Sequence, residues 1–338
     1  MIGEERSFYF LKFPSAAISE YWTSPKNPTG KACVAVYFGD TNASEIRGRV
    51  FSKIPRSENV SWLNLKLNSN HAGWNGLEAF FTACEQIPEN NLFVVFHQEE
   101  VLFLKPVSKI EDLSEDARNE YIKRWGGGHH SPPWPKICYV DEVFPRGDNK
   151  RYVRWELPFV LATSNANQSF NRGTCRRYTQ VFHLNALWSL FGKTVSSPKE
   201  AKDVLHNLGP IELETLLFLN LHHRGHFCPA NRGSTIPDVD IVVENRATAL
   251  IEDHGLDQVK FDKVATTFQV KHDVDSIPDN GVDYVVALRG PSHPKLRDAR
   301  WLMKATATNE KCFRWVRNAL WWTGWSSQTW EAIQSDYA

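Results

Sequence analysis

Two mixed parts are predicted for this chain: an α+β N-terminal domain over residues 1–195, and an α/β domain over residues 196–338 with a mixed central sheet flanked by helices. Three observations predict this. The chain has 338 residues, about two domains at roughly 150 residues each. Strand-like alternation and helical periodicity interleave along its length. The polar stretch TVSSPKEAKD, around residue 195, separates two such series.

In the first part, SFYFLKF, ACVAVYF, VSWLNLKL and NLFVVFHQEEVLFLKPV read as strands, with SAAISEYW and GLEAFFTACEQI as helices between them. LSEDARNEYIKRW reads as a helix capped by Ser114, with Glu115 and Asp116 in its first turn, ended by the breaker GGGHHSPPWP. ICYVDEVF and RYVRWELPFVLA read as two strands about the turn PRGDNK, and YTQVFHLNALWSLFG as a further helix. The second part opens with a helix that has Pro210 in its first turn, Leu213, Leu216, Leu217 and Leu221 along one face, and Gly225 at its end. PDVDIVV, TFQVK and DYVVALRG follow as strands, then a helical tail rich in basic residues and tryptophan.

Composition narrows the function classes. Hydrophobic residues make up 42% and charged residues 23%, a globular profile and not a disordered one. Lysine plus arginine equals aspartate plus glutamate at 39 each, so any nucleic-acid surface must come from local clustering. No apolar run reaches the ~18 residues of a membrane span. The acidic start MIGEERSFYF lacks the basic flank of a secretory signal, so a cytoplasmic protein with no membrane partner is expected. Six cysteines occur without a C-x-x-C pair, so reduced, buried thiols are expected.

The chemistry-bearing series lies in the second part. Glu214 sits on the leucine-lined helix, Asp238 and Asp240 precede the apolar run Ile241-Val242-Val243, and Gln269-Val270-Lys271 lies within the next strand. This order resembles a PD-(D/E)XK nuclease core. It is closest to the Mrr-like restriction endonuclease branch, in which a glutamine stands before X-Lys and a glutamate lies on the preceding helix. Glu214, Gly225, Phe227 and Asp240 follow one another at separations similar to that branch, and the resemblance covers roughly residues 205–290. The chain departs from it in having Ile236-Pro237-Asp238-Val239-Asp240 where a glycine-rich pattern is usual, and in a long connection from Asp240 to Gln269.

The resemblance implies a Mg²⁺-dependent endonuclease, with Mn²⁺ able to substitute, acting on double-stranded DNA. It also implies a restriction or defence enzyme, type II or type IV, working as a homodimer with the N-terminal domain reading sequence or a modified base. Phosphodiester hydrolysis needs an activated water and stabilisation of extra negative charge, and a divalent cation held by hard oxygens supplies both. Asp240, the Gln269 side-chain carbonyl and the Val270 backbone carbonyl are the expected metal ligands. Glu214 approaches through water, and Asp238 is a possible second carboxylate. Asp240 is favoured over Asp238 because it directly precedes the apolar run. Lys271, two residues after Gln269, shares its strand face and is expected to steady the nucleophile or the developing charge.

Two basic groups are expected to meet DNA. Arg297, Arg300 and Lys304 follow helical spacing, and Arg172, Arg176 and Arg177 lie with Phe170 and Tyr178 in a polar segment. Trp22, Trp62, Trp74, Trp125 and Trp134 are candidates for an aromatic base pocket, against the plainer reading that they fill cores. His222, His223, His226 and Cys228 offer a weaker zinc reading, because Gly225 interrupts the helix that would align them. Two other readings stand beside the DNA nuclease: a non-catalytic binding module retaining the fold, and a nuclease acting on RNA or branched DNA.

Overall fold

The computed structural model describes residues 6–12, 16–37, 41–52, 54–55, 57–59, 61–62, 72–125, 135–164, 175–231, 238–245, 256–261, 263–277 and 281–338. By contacts the chain forms two units, Met1–Leu157 with Leu161–Thr179, and Pro158–Val160 with Gln180–Ala338. Both are mixed α/β, each with its own sheet. The contact boundary precedes the helix Val181–Leu190, whereas the sequence punctuation follows it. That helix belongs to the second unit, where Asn185 Nδ2 donates to Asn207 Oδ1 at 2.8 Å.

In the first unit the elements run β1 (Ser7–Leu11), α1 (Ala16–Thr23), β2 (Cys33–Tyr37), α2 (Ala43–Val50), α3 (Ala72–Glu85), β3 (Asn91–His97), β4 (Glu100–Pro106), β5 (Glu111–Asp112), α4 (Glu115–Trp125), β6 (Pro135–Val143), β7 (Tyr152–Val153), α5 (Phe159–Ser164, shared with the second unit) and β8 (Cys175–Arg177). The sheet order is β2-β6-β4-β3-β1-β8, with β5 on β6 and β7 on β4. Only β1 and β3 pair in parallel; the other pairs are antiparallel. Trp74, Leu77, Phe81 and Cys84 recur at helical spacing on α3 and are all buried in the unit's core. Ser114 caps α4, its Oγ accepting from Ala117 N at 3.3 Å.

Two expected strands come out differently. RYVRWELPFVLA is a strand only at Tyr152–Val153 and becomes α5 after Pro158, because proline removes a ladder donor and suits a helix start. In VSWLNLKL, Ser61 and Trp62 are helical, Trp62 packing edge-on against Trp74, and residues 63–67 lie outside the described residues.

The second unit contains α6 (Val181–Leu190), α7 (Ala201–Leu205), α8 (Pro210–His222), β9 (Phe227–Asn231), β10 (Ile241–Glu244), β11 (Ala265–Asp273), β12 (Tyr284–Arg289), β13 (Leu296–Arg297), α9 (Ala299–Ala307), α10 (Glu310–Ala319) and α11 (Ser327–Tyr337). Its five strands lie in the order β13-β12-β11-β10-β9. The β9-β10-β11 pairs are antiparallel and the β11-β12-β13 pairs parallel. On α8, Leu213, Leu216, Leu217 and Leu221 are fully buried, and Gly225 ends the segment in the left-handed region at φ 88°. The tail is three short helices, each with its own cap from Asp298, Asn309 or Ser326. Among the described residues no helix is long and apolar enough to cross a membrane.

Candidate functional site

The site grows from the pairing of β10 with β11. Ile241 faces Phe268 in an antiparallel register, and Asp240 stands one residue outside that ladder, against the Phe268–Val270 backbone. Asp240 is anchored twice: its N–H donates to the Phe268 carbonyl at 2.9 Å, and its Oδ2 accepts the Val270 N–H at 2.6 Å. A strand residue turns its N–H and C=O to the same neighbour, so the Val270 carbonyl also points to the β10 side, past that strand's first residue. Gln269 is only 4% exposed, and its amide makes no hydrogen bond with any described residue.

Lys271 lies two residues on, exposed, with no ion-pair partner among the described residues. Parallel pairing places it opposite Ala287, and Asp273 opposite Arg289, so an exposed arginine shares the lysine's face. That position for Arg289 is set by pairing with β12 and has no signature in the sequence. Toward β12 the same face is closed over Val285 and Ala287 by Val239, Val274, Ile277 and Val282.

Strand pairing thus gathers Asp240, Gln269, Val270 and Lys271. Asp238 is exposed and left-handed at φ 63°, so it turns ahead of the strand. Glu214 stands half-exposed on α8. The acid that α8 buries is Glu212, 2% exposed, with its carboxyl pushed up to about 7 by burial and partly offset by hydrogen bonds from its own N–H and that of Gly209. Glu212 is the third residue after the N-cap Gly209, the position from which a glutamate reaches back to cap its own helix. Gly-Pro-x-Glu was the sequence signal for it.

One residue beyond Lys271, His272 turns to the other face. Its ring lies 4.9 Å from Phe182 and 6.1 Å from His206. Burial, then the neighbouring His206, lowers its pKa to about 4, against smaller upward effects of Asp273 and the Leu208 backbone.

The expected DNA-contacting residues are distributed otherwise than helical spacing suggests. Asp298 caps α9, so Arg297 falls outside the helix, in β13, 6% exposed and with its guanidinium on backbone carbonyls. Arg300 is exposed on α9, and Lys304 pairs with Asp257 at 2.7 Å. Arg176 and Arg177 are adjacent on the edge strand β8, opposite Phe10 and Tyr9, so they point to opposite faces of that sheet. Arg177 donates to Ser7 Oγ at 2.9 Å. Arg172 and Phe170 lie outside the described residues. Trp22, Trp62 and Trp74 are core residues, while Trp134 and the Trp125 side chain lie outside the described set.

Among the described residues no three His, Cys, Asp or Glu side chains are grouped to hold a metal ion. His226 packs at 4.3 Å from Phe261, and His222 stacks on Phe218 at 5.6 Å, so the histidines of the zinc reading serve packing. The donors at the β10–β11 site are one carboxylate, one amide oxygen and one backbone carbonyl. These hard oxygens fit a cation such as Mg²⁺ that keeps several waters and takes one or two carboxylates. Compared with family models, curated proteins and solved structures, the chain matches none.

Proposed function

We propose that the chain is a metal-dependent endonuclease that hydrolyses DNA phosphodiester bonds. In this reading the second unit is a PD-(D/E)XK-like catalytic domain of the Mrr-like branch, and the first unit reads the substrate. The observation that carries it is the Asp240 carboxylate tied to the Val270 N–H, between the largely buried Gln269 and a Lys271 ammonium that is unpaired among the described residues. The meander β9-β10-β11, entered from a leucine-faced helix and extended by a parallel strand, supports it further.

Asp240, Gln269 and the Val270 carbonyl would hold Mg²⁺ or Mn²⁺, with Asp238 the nearest additional carboxylate in sequence. When bound, the cation supplies a more acidic water and charge neutralisation at the scissile phosphate. Asp240 is preorganised by its two backbone anchors. Gln269 contributes an oxygen without charge, so the site carries less negative charge to repel a phosphate. Lys271 donates to a non-bridging phosphate oxygen or to the attacking water, and its charge favours the more anionic transition state. Arg289 on the same face would steady an adjoining phosphate.

Cleavage of both strands requires two such centres, so the active species in this reading is a homodimer, the active form of a cytoplasmic restriction or defence enzyme. The test is incubation of the purified chain with unmodified and cytosine-modified duplex DNA in Mg²⁺, Mn²⁺ or EDTA, beside the Lys271→Ala variant. Cleavage that needs the metal and Lys271 is the expected result. A folded protein that cuts neither duplex, or a variant that cuts as well as the parent, would overturn the reading.

A further inference from the structure

Arg297 is a buried cation with no counter-ion among the described residues. It is 6% exposed, and its guanidinium donates to the Pro294 and Leu296 carbonyls at 2.9 and 2.8 Å and to the Gln258 carbonyl, while Nε has no partner. Its charge lies 4.6 Å from the Tyr284 ring centre, and no carboxylate pairs with it among the described residues. Carbonyl dipoles and a ring face only partly replace the hydration that a buried charge has lost. Burial accordingly holds this guanidinium below its ordinary pKa.

Arg297 lines a cleft of about 370 Å³ together with Ser292, His293, Arg300, Trp301 and Lys304. The two carboxylates there are already engaged. Asp257 pairs with Lys304 at 2.7 Å, and Asp298 accepts the Trp301 N–H at 2.9 Å as the cap of α9. Arg300 is exposed and unpaired among the described residues, and with three basic side chains against two carboxylates the cleft keeps an excess of one positive charge. The first turn of α9, a nine-residue helix capped by Asp298, borders the same cleft.

We propose that this cleft is a phosphate-binding site separate from the Asp240 site. Arg297 pairs with Val286, which pairs with Val270, so Arg297 lies on the sheet face opposite Gln269 and Lys271. Arg300 supplies the direct charged contact, Arg297 the fixed positive potential beneath it, and the Ser292 hydroxyl and His293 ring the surrounding polar groups. Arg297 and Arg300 therefore serve one anionic group from a strand and a helix, while Lys304 stays with Asp257. The inference does not depend on the nuclease reading.

Isothermal titration of the full chain with inorganic phosphate, against sodium chloride of equal ionic strength, tests it. One saturable site is expected, weakened about tenfold by Arg300→Ala through loss of a charge-assisted hydrogen bond. Arg300→Lys should restore part of the affinity. Deoxyadenosine 5′-monophosphate and a short duplex without terminal phosphates, each used as competitor, distinguish a monoester from a backbone phosphodiester as the source; displacement by either supports the site. Absence of saturable binding, or equal affinity in a folded Arg300→Ala variant, overturns it. No readout requires cleavage, so failure of the nuclease reading leaves this result interpretable.

Discussion

Lys271 and His272 are neighbours in sequence and opposites in environment. Lys271 projects into solvent beside Asp240 and Gln269, while His272 turns under Phe182 and His206 with a pKa lowered to about 4. The two faces of one strand thus separate chemistry from stability. On one face Lys271 is left accessible and unpaired among the described residues; on the other His272 is held neutral by burial. A substitution on the first face should change activity and leave the fold intact, and a substitution on the second should do the reverse.

The largest expected effect is on the Asp240 face. Asp240→Ala and Lys271→Ala should each lower DNA cleavage by about a hundredfold or more, since each removes preorganised electrostatics. Lys271→Ala should leave stability within about 0.5 kcal/mol, as for an exposed residue without partners. Thermal melts beside initial rates check this, and a large loss of stability in Lys271→Ala would break the division between the faces.

Two buried titrating groups sharpen it with opposite signs. His272 takes a proton near pH 4 when folded but near its ordinary 6.5 when unfolded, so its burial should lower stability as pH falls through that window. Glu212 has a folded pKa of about 7 against 4.5, so its burial should lower stability as pH rises from about 4.5 to about 7. Each window is of the order of 3 kcal/mol. Urea melts across pH should show Glu212→Gln stabilised at pH 8 with little change at pH 4.5, and His272→Gln less sensitive to acid. Unaltered pH profiles would place both groups in contact with water.

Gly209→Ala is the next in size. A Cβ there would stand 2.6 Å from Glu212 Oε2 and 3.1 Å from Val160 Cγ2, so a loss of about 1–3 kcal/mol is expected from overpacking. Shortening the acid with Glu212→Ala should relieve part of it in the double variant, measurable as non-additivity in denaturant melts. The smallest effect is expected at Arg289, where Arg289→Ala should weaken duplex binding severalfold and reduce the salt slope by about one unit. A salt dependence identical to the parent would remove Arg289 from the DNA-facing surface.

Most of the architecture of the second unit was legible locally. Pro210 and Gly225 bracket α8, the leucine spacing marks its buried face, and the apolar runs mark β10, β11 and β12. The order Asp240, Gln269, Lys271 was likewise readable, because side-chain alternation along a strand is a local property. Other features were not. RYVRWELPFVLA reads as a strand from its composition, yet Pro158 turns it into a helix. Arg297, Arg300 and Lys304 fit a helical stripe by spacing alone, but the cap at Asp298 leaves Arg297 in a strand. Spacing records periodicity, and a single cap decides where the period begins.

The sequence by itself determined that this chain forms mixed helices and strands in two series, with an acid and a Q-x-K segment entering consecutive strands. Those properties follow from periodicity, caps and breakers, which act over a few residues. Only the tertiary structure decided that Asp240 meets the Val270 amide, that Gln269 is largely buried, and that Arg297 lies on the face away from Lys271. Each depends on strand pairing between residues roughly ten to thirty positions apart, and a change of register by one residue would reverse every face.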